Sequence, residues 1–81
     1  MIHVRIQVYE ILGLWKLHEL EVSDGLGTSQ HVLHAREVYA SEGEAVTMAK
    51  YEARRRIAEM WSFVPEDQIN WHIKTTKTNY R

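Results

Sequence analysis

The amino-acid sequence predicts a single small α+β domain, in which four strands form a mostly antiparallel sheet and one long helix packs on one sheet face. Apolar and polar residues alternate near both ends of the chain, over 2–8 and 69–74, which is typical of strands with one buried face. A clear 3.6-residue apolar period occurs over 41–61 and indicates one amphipathic helix. The predicted order is therefore β-β-β-α-β.

The first predicted strand, at about 2–10, is followed by a turn at 12–13 and by a second strand at about 14–22. The apolar residues of this second strand change face part-way along it, from Trp15 and Leu17 to Leu20 and Val22. A bulge near 18–19 would return all four to one face, because one extra residue swaps the face. The alternative is a strand that is apolar on both faces.

A turn at 23–28, in which Asp24-Gly25 supplies a positive φ, leads to a third strand predicted at about 29–40. Its apolar pattern also shifts phase, from Leu33 and Ala35 to Val38 and Ala40. A bulge near 36–37 and a partly two-faced strand account for this shift equally well. Strands that are apolar on both faces would need a second cover, and we therefore predict a homodimer.

The helix is predicted at about 42–62 with Ser41 as its N-cap, because Ser41 and Glu44 have the spacing of a capping box. The inward stripe begins with small residues and ends with large ones, namely Ala45, Val46, Ala49, Ala53, Ile57, Met60 and Trp61. Pro65 is expected to prevent the helix from continuing. The helix should therefore lie close to the sheet at its start.

The last predicted strand, at about 69–75, precedes a polar tail at 76–81. The right-handed crossover rule makes this strand a parallel neighbour of the first strand, at the centre of a mixed sheet. One face of the sheet would be covered by the helix. The other face would be open and would carry polar side chains, namely Arg5, Gln7, Tyr9, His72 and Lys74. Such an open face is a common platform for partner binding.

Composition narrows the classes of protein to which the chain can belong. With 81 residues, 44% of them apolar, it has the material for one domain with a core. The lack of cysteine excludes disulfides, thiolate metal sites and cysteine nucleophiles. A net charge of −1 provides no global attraction to nucleic acid or acidic membranes. The longest apolar run, 11–15, is far shorter than the roughly 20 residues of a membrane-spanning helix, so we expect a cytoplasmic protein without a membrane partner.

The outer face of the helix supplies the first candidate partner-binding residues, which are Met48, Tyr51, Arg54 and Arg55. Exposed Tyr, Met and Arg are residue types that interfaces favour. The triplet 54–56 does not form one basic stripe, because consecutive helical residues point about 100° apart. Acidic residues at 52 and 59 have the spacing to pair with the second and third arginines. Arg54, beside Lys50, has no such partner along the helix.

The open sheet face supplies the second candidate set, which is Arg5, Tyr9, His72 and Lys74. His3 and His72 would be neighbours there if the first and last strands pair. His31 and His34 would project to opposite sides of a strand, so they do not predict a shared metal ion. No nucleophile with an adjacent base and no ligand set stands out, and the sequence therefore predicts neither an enzyme, nor a metal site, nor a cofactor.

Residues 38–49, with the sequence VYASEGEAVTMA, carry one resemblance to known proteins. The segment resembles a run found in many very small proteins of phages and mobile elements, in which a strand ends in Val-x-Ala, a Ser caps the helix, and Glu-Ala-x-x-x-Ala begins it. Several anti-CRISPRs are among those proteins. The resemblance implies a compact α+β inhibitor that binds a CRISPR effector complex stoichiometrically and catalyses nothing. It implies no particular binding residue, because these inhibitors share no binding motif.

The sequence as a whole predicts a non-enzymatic protein-interaction protein, a phage-encoded inhibitor of the anti-CRISPR type that occludes a host effector complex in the host cytoplasm. The alternative is a small nucleic-acid-binding module, which would use the open sheet face and the basic residues Lys74, Lys77 and Arg81. Three glutamates, at 10, 19 and 21, dilute that charge and disfavour direct nucleic-acid binding. A third hypothesis is a toxin-like ribonuclease with histidine as general acid or base.

Overall fold

The computed structural model describes residues 1–33 and 35–77 and confirms the predicted α+β class. The elements in chain order are β1 (Ile2–Ile11), β2 (Leu14–Ser23), β3 (Ser29–Leu33), β4 (Val38–Tyr39), α1 (Glu42–Trp61), a one-turn 3-10 helix (Glu66–Gln68) and β5 (Ile69–Thr76). The described residues thus form five strands rather than the predicted four. Of the predicted polar tail, Thr76 belongs to β5, and residues 78–81 lie outside the described part of the chain.

β1 and β2 form an antiparallel hairpin that turns at Leu12-Gly13, as predicted. Both turn residues have positive φ, 53° and 80°, which matches the right-handed twist of the flanking strands. The consecutive β1 residues 7 and 8 lie opposite Glu19 and Leu17. His18 is therefore the extra residue of a bulge, which confirms the interruption predicted at 18–19. The bulge keeps the apolar side chains of β2 on the helix side of the sheet.

The single strand predicted at about 29–40 is wrong, because β3 and β4 are separate strands. Both pair antiparallel with β2: β3 lies beside residues 19–23 of β2, and β4 lies beside Trp15 and Lys16. The break between them falls opposite the bulge at His18, where β2 itself changes phase. The phase shift in the third predicted strand thus reflects an interruption of the pairing rather than a bulge at 36–37.

β5 pairs in parallel with β1, in an unbroken register along residues 2–9 of β1. The strand order is β3-β2-β1-β5, with β4 also pairing with β2. The parallel neighbour of the first strand and the mostly antiparallel sheet are therefore confirmed. The central position predicted for the last strand is wrong, because β5 forms the edge. β1 and β2 occupy the centre, since β3 and β4 are added on the far side of β2.

Ser41 caps α1 as predicted. Its Oγ accepts a hydrogen bond from the backbone N–H of Glu44 at 3.1 Å, and its carbonyl accepts one from Ala45 at 3.1 Å. The helix ends at Trp61, and the following Ser62 has a φ of 65° and donates its N–H to the carbonyl of Ala58. None of the helices formed by residues 1–33 and 35–77 could span a membrane, given their length and hydropathy.

α1 packs mainly across β1 and β2 and also touches β4. Its buried face consists of Ala45, Ala49, Ala53 and Ile57. Three alanines in succession allow the helix backbone to lie close to the sheet. The strands contribute the rest of the core, namely Ile2, Val4, Ile6, Val8, Trp15, Leu17, Leu20 and Val22. The helix leaves two margins of the sheet less covered: the β3–β4 side and the β5 edge.

Candidate functional site

A groove runs between α1 and the β3–β4 side of the sheet, with a volume of about 440 Å³. We call it the helix groove. Its floor and walls are largely apolar, and charged side chains stand along its rim. The lining residues are Leu17, Leu20, Val32, Ala35, Glu37, Tyr39, Ala45, Met48, Ala49, Tyr51, Glu52, Arg55 and Arg56. Three of the four helix residues predicted to bind a partner therefore border one concave surface.

Met48, Tyr51 and Arg55 lie on one side of α1 because they are three or four residues apart, which is about one helical turn. Tyr51 is 65% exposed and Met48 is 44% exposed. Ala45 and Ala49 lie one helical turn apart on the inner face of α1. Both are buried against the sheet and hold the helix in place. The result is a large aromatic side chain and a flexible apolar one, presented to solvent from a rigid element.

The charges along the rim of the helix groove compensate one another. Arg55 donates to Glu52 at 3.1 Å through Nε and to Glu59 at 2.7 Å. Arg56 lies 3.0 Å from the same Glu52 carboxylate and donates to the side-chain oxygen of Gln30 at 2.8 Å. The hydrogen bond from Arg55 holds the pKa of Glu52 below its usual value. The predicted neutralisation of these two arginines is thus confirmed, and the rim has no strong net charge.

Tyr39 forms the wall of the helix groove opposite α1 and is half-buried. Burial raises the pKa of its hydroxyl, and the negative charges of Glu37, Glu44 and Glu52 raise it further. The hydroxyl therefore remains protonated at neutral pH and is able to donate a hydrogen bond. Sequence reasoning placed Tyr39 in the third strand but did not identify it as a site residue. The signal was its position two residues before the helix cap Ser41, which brings it back beside α1.

Arg54 does not lie with the other three predicted helix residues. It faces the opposite flank of α1, where it donates to Glu66 at 3.2 Å and its guanidinium lies 5.1 Å from the ring centroid of Trp71. Lys50 lies at the same distance from that ring, and the Trp71 indole N–H donates to Glu66 at 2.9 Å. Arg54 has no acidic partner along the helix, and its partner Glu66 belongs to the 3-10 helix instead. The hydrogen bond from Arg54 lowers the pKa of Glu66.

The open sheet face carries all four residues that were predicted for it. Arg5 is 2.9 Å from Glu19 and 3.5 Å from Glu21, both on the neighbouring β2. His31 of β3 shares Glu19 at 3.0 Å, and the hydrogen bonds from His31 and Arg5 lower the pKa of Glu19. The positive charge predicted at Arg5 is thus offset. The alternation of β2 beyond its bulge already placed these glutamates on the open face.

Two ring contacts that involve histidine also lie on the open sheet face. His3 and His72 stack with their ring centroids 6.3 Å apart, which confirms the proximity expected if the first and last strands pair. Tyr9 contacts His18 edge-on at 5.8 Å. Lys74 and His72 border a shallow hollow of about 580 Å³ together with Arg5. Among the described residues, no three His, Asp or Glu side chains are placed to hold a metal ion together. His34 lies outside the described residues.

Comparison with known proteins finds no similar protein. No protein-family model matches the chain, and no curated protein or solved structure is significantly similar to it. Two surfaces of the chain bear on its function. One is a concave and largely apolar groove with exposed interface-type side chains, and the other is a polar face whose main charges are paired.

Proposed function

We propose that this chain is a non-enzymatic binding protein that uses the helix groove to attach to a larger host protein complex and occlude one of its surfaces. In the form that the resemblance of residues 38–49 implies, it is an inhibitor of the anti-CRISPR type, and the complex is a CRISPR effector. The observation that carries the proposal is the exposure of Tyr51 and Met48 beside an apolar groove. The proposal places the interaction in the host cytoplasm.

The residue types at the helix groove support a protein partner. Aromatic residues, Met and Arg are enriched at the buried centre of protein interfaces, and truncation of Tyr or Arg there often has large effects on affinity. Tyr51 projects from the rim with two rotatable side-chain bonds and loses little entropy when it is covered. Met48 adapts its shape to the partner, because its side chain is unbranched. Both stand on a helix whose inner face is fixed by the core.

The charge pattern of the helix groove indicates what kind of surface it fits. Glu52 is committed to Arg55 and Arg56, so the rim offers closed ion pairs rather than an unbalanced patch. A highly charged ligand such as a nucleic-acid backbone gains little from such a rim. A protein ridge with one or two apolar side chains would fill the groove and leave the ion pairs at the solvated margin. We therefore favour a protein surface over nucleic acid at this site.

The proposed mechanism is stoichiometric occlusion. A chain of 81 residues covers only part of a large complex, so its effect depends on where it binds. A bound copy excludes whatever the covered surface normally contacts, whether target nucleic acid or another subunit. Inhibition should therefore saturate at a fixed ratio of inhibitor to complex and should consume no substrate.

The first experiment is capture from a host lysate on immobilised wild-type chain, followed by mass spectrometry and by titration of the captured complex. We expect Tyr51→Ala and Met48→Ala to weaken binding by at least about tenfold each, as for truncation of a well-packed interface residue. Thr47→Ala is the matched control, because Thr47 is exposed on the same helix but lies outside the groove lining. Equal capture by Tyr51→Ala and wild type, or the absence of any specific complex, would contradict the proposal.

The alternative, nucleic-acid binding through the open sheet face, has one observation in its favour. Lys74 and His72 border a hollow on that face next to Arg5. Against it, Arg5 is paired with two glutamates, and Tyr9 is engaged edge-on by His18. The two functions separate in a binding assay with mixed oligonucleotides. Affinity that falls steeply with salt and is lost in Lys74→Ala would favour the alternative.

A further inference from the structure

The outer edge of β5 is an unpaired strand edge. β5 is the last strand of the order β3-β2-β1-β5, and no other described strand pairs with its outer side. It is eight residues long, from Ile69 to Thr76, and contains no proline. In a parallel pair, alternate residues direct their backbone N–H and C=O groups away from the neighbouring strand. β5 therefore presents a row of backbone donors and acceptors that is ready to accept another strand.

Side-chain contacts hold this edge in position. Trp71, in the middle of β5, donates its indole N–H to Glu66 at 2.9 Å, and Glu66 in turn binds Arg54 of α1. The ring of Trp71 lies beneath both Lys50 and Arg54, each 5.1 Å from its centroid. β5 is thus tied to the helix through its side chains. A partner strand would meet an edge that is already ordered and would lose less free energy in ordering it.

The helix side of β5 is apolar but incompletely covered. Ile69, Trp71 and Ile73 lie on this side, because they pair with the core residues of β1 at positions 2, 4 and 6. α1 packs over β1 and β2 instead of β5. Ile73 is therefore 39% exposed. Edge strands are normally protected by proline, by a bulge, by an inward-pointing charge or by exposed lysine, and of these β5 has only Lys74 within Ile69–Thr76.

We propose that a second copy of this chain pairs antiparallel with the outer edge of β5, about a two-fold axis at His72. This register makes the two strands complementary. Trp71 of one copy lies beside Ile73 of the other on the helix side, so the exposed apolar side chain gains a cover. On the open side, Lys74 lies beside the uncharged Asn70. Lys74 is the only Lys, Arg, Asp or Glu of β5, so no two such side chains oppose each other across the strand pair, and at the axis His72 faces its own copy.

The two-fold axis stands perpendicular to the sheet, and both helices therefore lie on the same face of one continuous sheet. The helix groove is on the β3–β4 side of each copy, away from the β5 edge. Pairing through β5 thus leaves both grooves accessible. The dimer presents two identical grooves, one on each flank. The sequence predicted a homodimer from two-faced second and third strands. Because the bulge gives β2 a single apolar face, we assign the dimer contact to β5 instead.

The mass of the protein in solution, measured by light scattering or sedimentation over a range of concentrations, is the first test. The wild type is expected to dimerise. Ile73→Lys should raise the dimer dissociation constant by at least about tenfold, because each dimer would bring two uncompensated ammonium groups onto the apolar side of the new strand pair. Leu26→Lys is the control, since Leu26 is 89% exposed in the turn between β2 and β3. A monomeric wild type at millimolar concentration, or a folded Ile73→Lys variant that dimerises normally, would overturn the proposal.

The second test measures the register, and it uses the absence of cysteine from the chain. In His72→Cys the two introduced thiols would face each other across the axis, at the Cβ separation of about 4.5–5.5 Å typical of cross-strand pairs, and should form an intermolecular disulfide in a glutathione buffer. In Asn70→Cys the two thiols would be four residues out of register and should cross-link far more slowly. Cross-linking of Asn70→Cys at the same rate or faster would refute pairing about His72. Neither test depends on the helix groove, so the outcome is independent of the proposed function.

Discussion

Glu52 is the residue on which the rim of the helix groove depends. Its carboxylate takes the guanidinium of Arg55 as a hydrogen-bond partner and also lies 3.0 Å from Nε of Arg56. Arg56 reaches further, to Gln30 at the start of β3, and so connects the helix to the edge of the sheet. One acidic side chain thus pairs with two arginines. Tyr51 is the most exposed large apolar side chain among the residues that line the groove.

The first prediction at the scale of the residue concerns the stability of the fold at acidic pH. The pKa values of Glu19, Glu52 and Glu66 are lowered in the folded protein, in each case chiefly by hydrogen bonds from a neighbouring His or Arg side chain. A carboxyl whose folded pKa lies below its unfolded pKa stabilises the fold above the unfolded pKa, and that contribution is lost as the pH falls. The pKa of a glutamate in an unfolded chain is about 4.3. The urea midpoint should therefore be steady from pH 7 to about pH 5 and fall below that range.

The variant Glu52→Gln isolates one of these contributions. It removes the titrating carboxyl but keeps its shape, so it should have a lower urea midpoint than the wild type at pH 7. The difference between the two should shrink as the pH falls towards 3. A difference that is constant from pH 7 to pH 3 would show that the ion pairs of Glu52 do not contribute to stability through its charge.

At the scale of the element, α1 depends on the small size of its inward residues. Ala49 is 3% exposed and lies between the helix and the sheet. We expect Ala49→Leu to lower the free energy of unfolding by about 1–3 kcal/mol, because the extra methylenes force the helix away from a packed surface. Ala58→Leu is the matched control, since Ala58 is exposed on the same helix and its replacement should have little effect. Chemical denaturation measures both, and equal stabilities would mean that the helix does not lie close to the sheet at Ala49.

The elements that could be predicted from the sequence are those defined by local chemistry. Ser41 and Glu44 define the start of α1, and the run of alanines defines its inner face. The bulge at His18 was predictable because the apolar residues of β2 change face within a single strand. Strict alternation in β1 and β5 defined their inward faces in the same way. In each case the pattern and its structural cause lie within a few residues of each other.

The features that could not be predicted arise from pairing between distant segments. The division of the third strand into β3 and β4 follows from the bulge in β2, which is a property of the neighbouring strand. The separation of Arg54 from Tyr51 follows from Glu66 and Trp71, which lie beyond the end of the helix. The helix groove exists only after β4 returns beside α1. The sequence identified three of its seven helix residues as binding residues, and it did not identify the wall formed by Tyr39 and Val32.

At the scale of the whole molecule, the two proposed interactions lie at opposite edges of the sheet. The β5 edge would bind a second copy, and the helix groove on the β3–β4 side would bind the host complex. A dimer with two outward grooves could engage two sites of one complex or two complexes at once. When two linked sites are both reached, the second binding event becomes intramolecular and the apparent affinity rises. Ile73→Lys should therefore weaken capture of a complex that presents paired sites, without any change at the groove.

Site-specific photo-cross-linking to the captured host complex tests most directly whether the helix groove is the binding surface. A photoreactive phenylalanine derivative is introduced in place of Tyr51 in the helix groove, and in a separate variant in place of Tyr9 on the open sheet face. Position 51 is expected to form a covalent adduct with one protein subunit of the complex, and position 9 is expected to form none. Adducts from position 9 alone, whether with protein or with nucleic acid, would contradict this expectation and would place the binding surface on the open sheet.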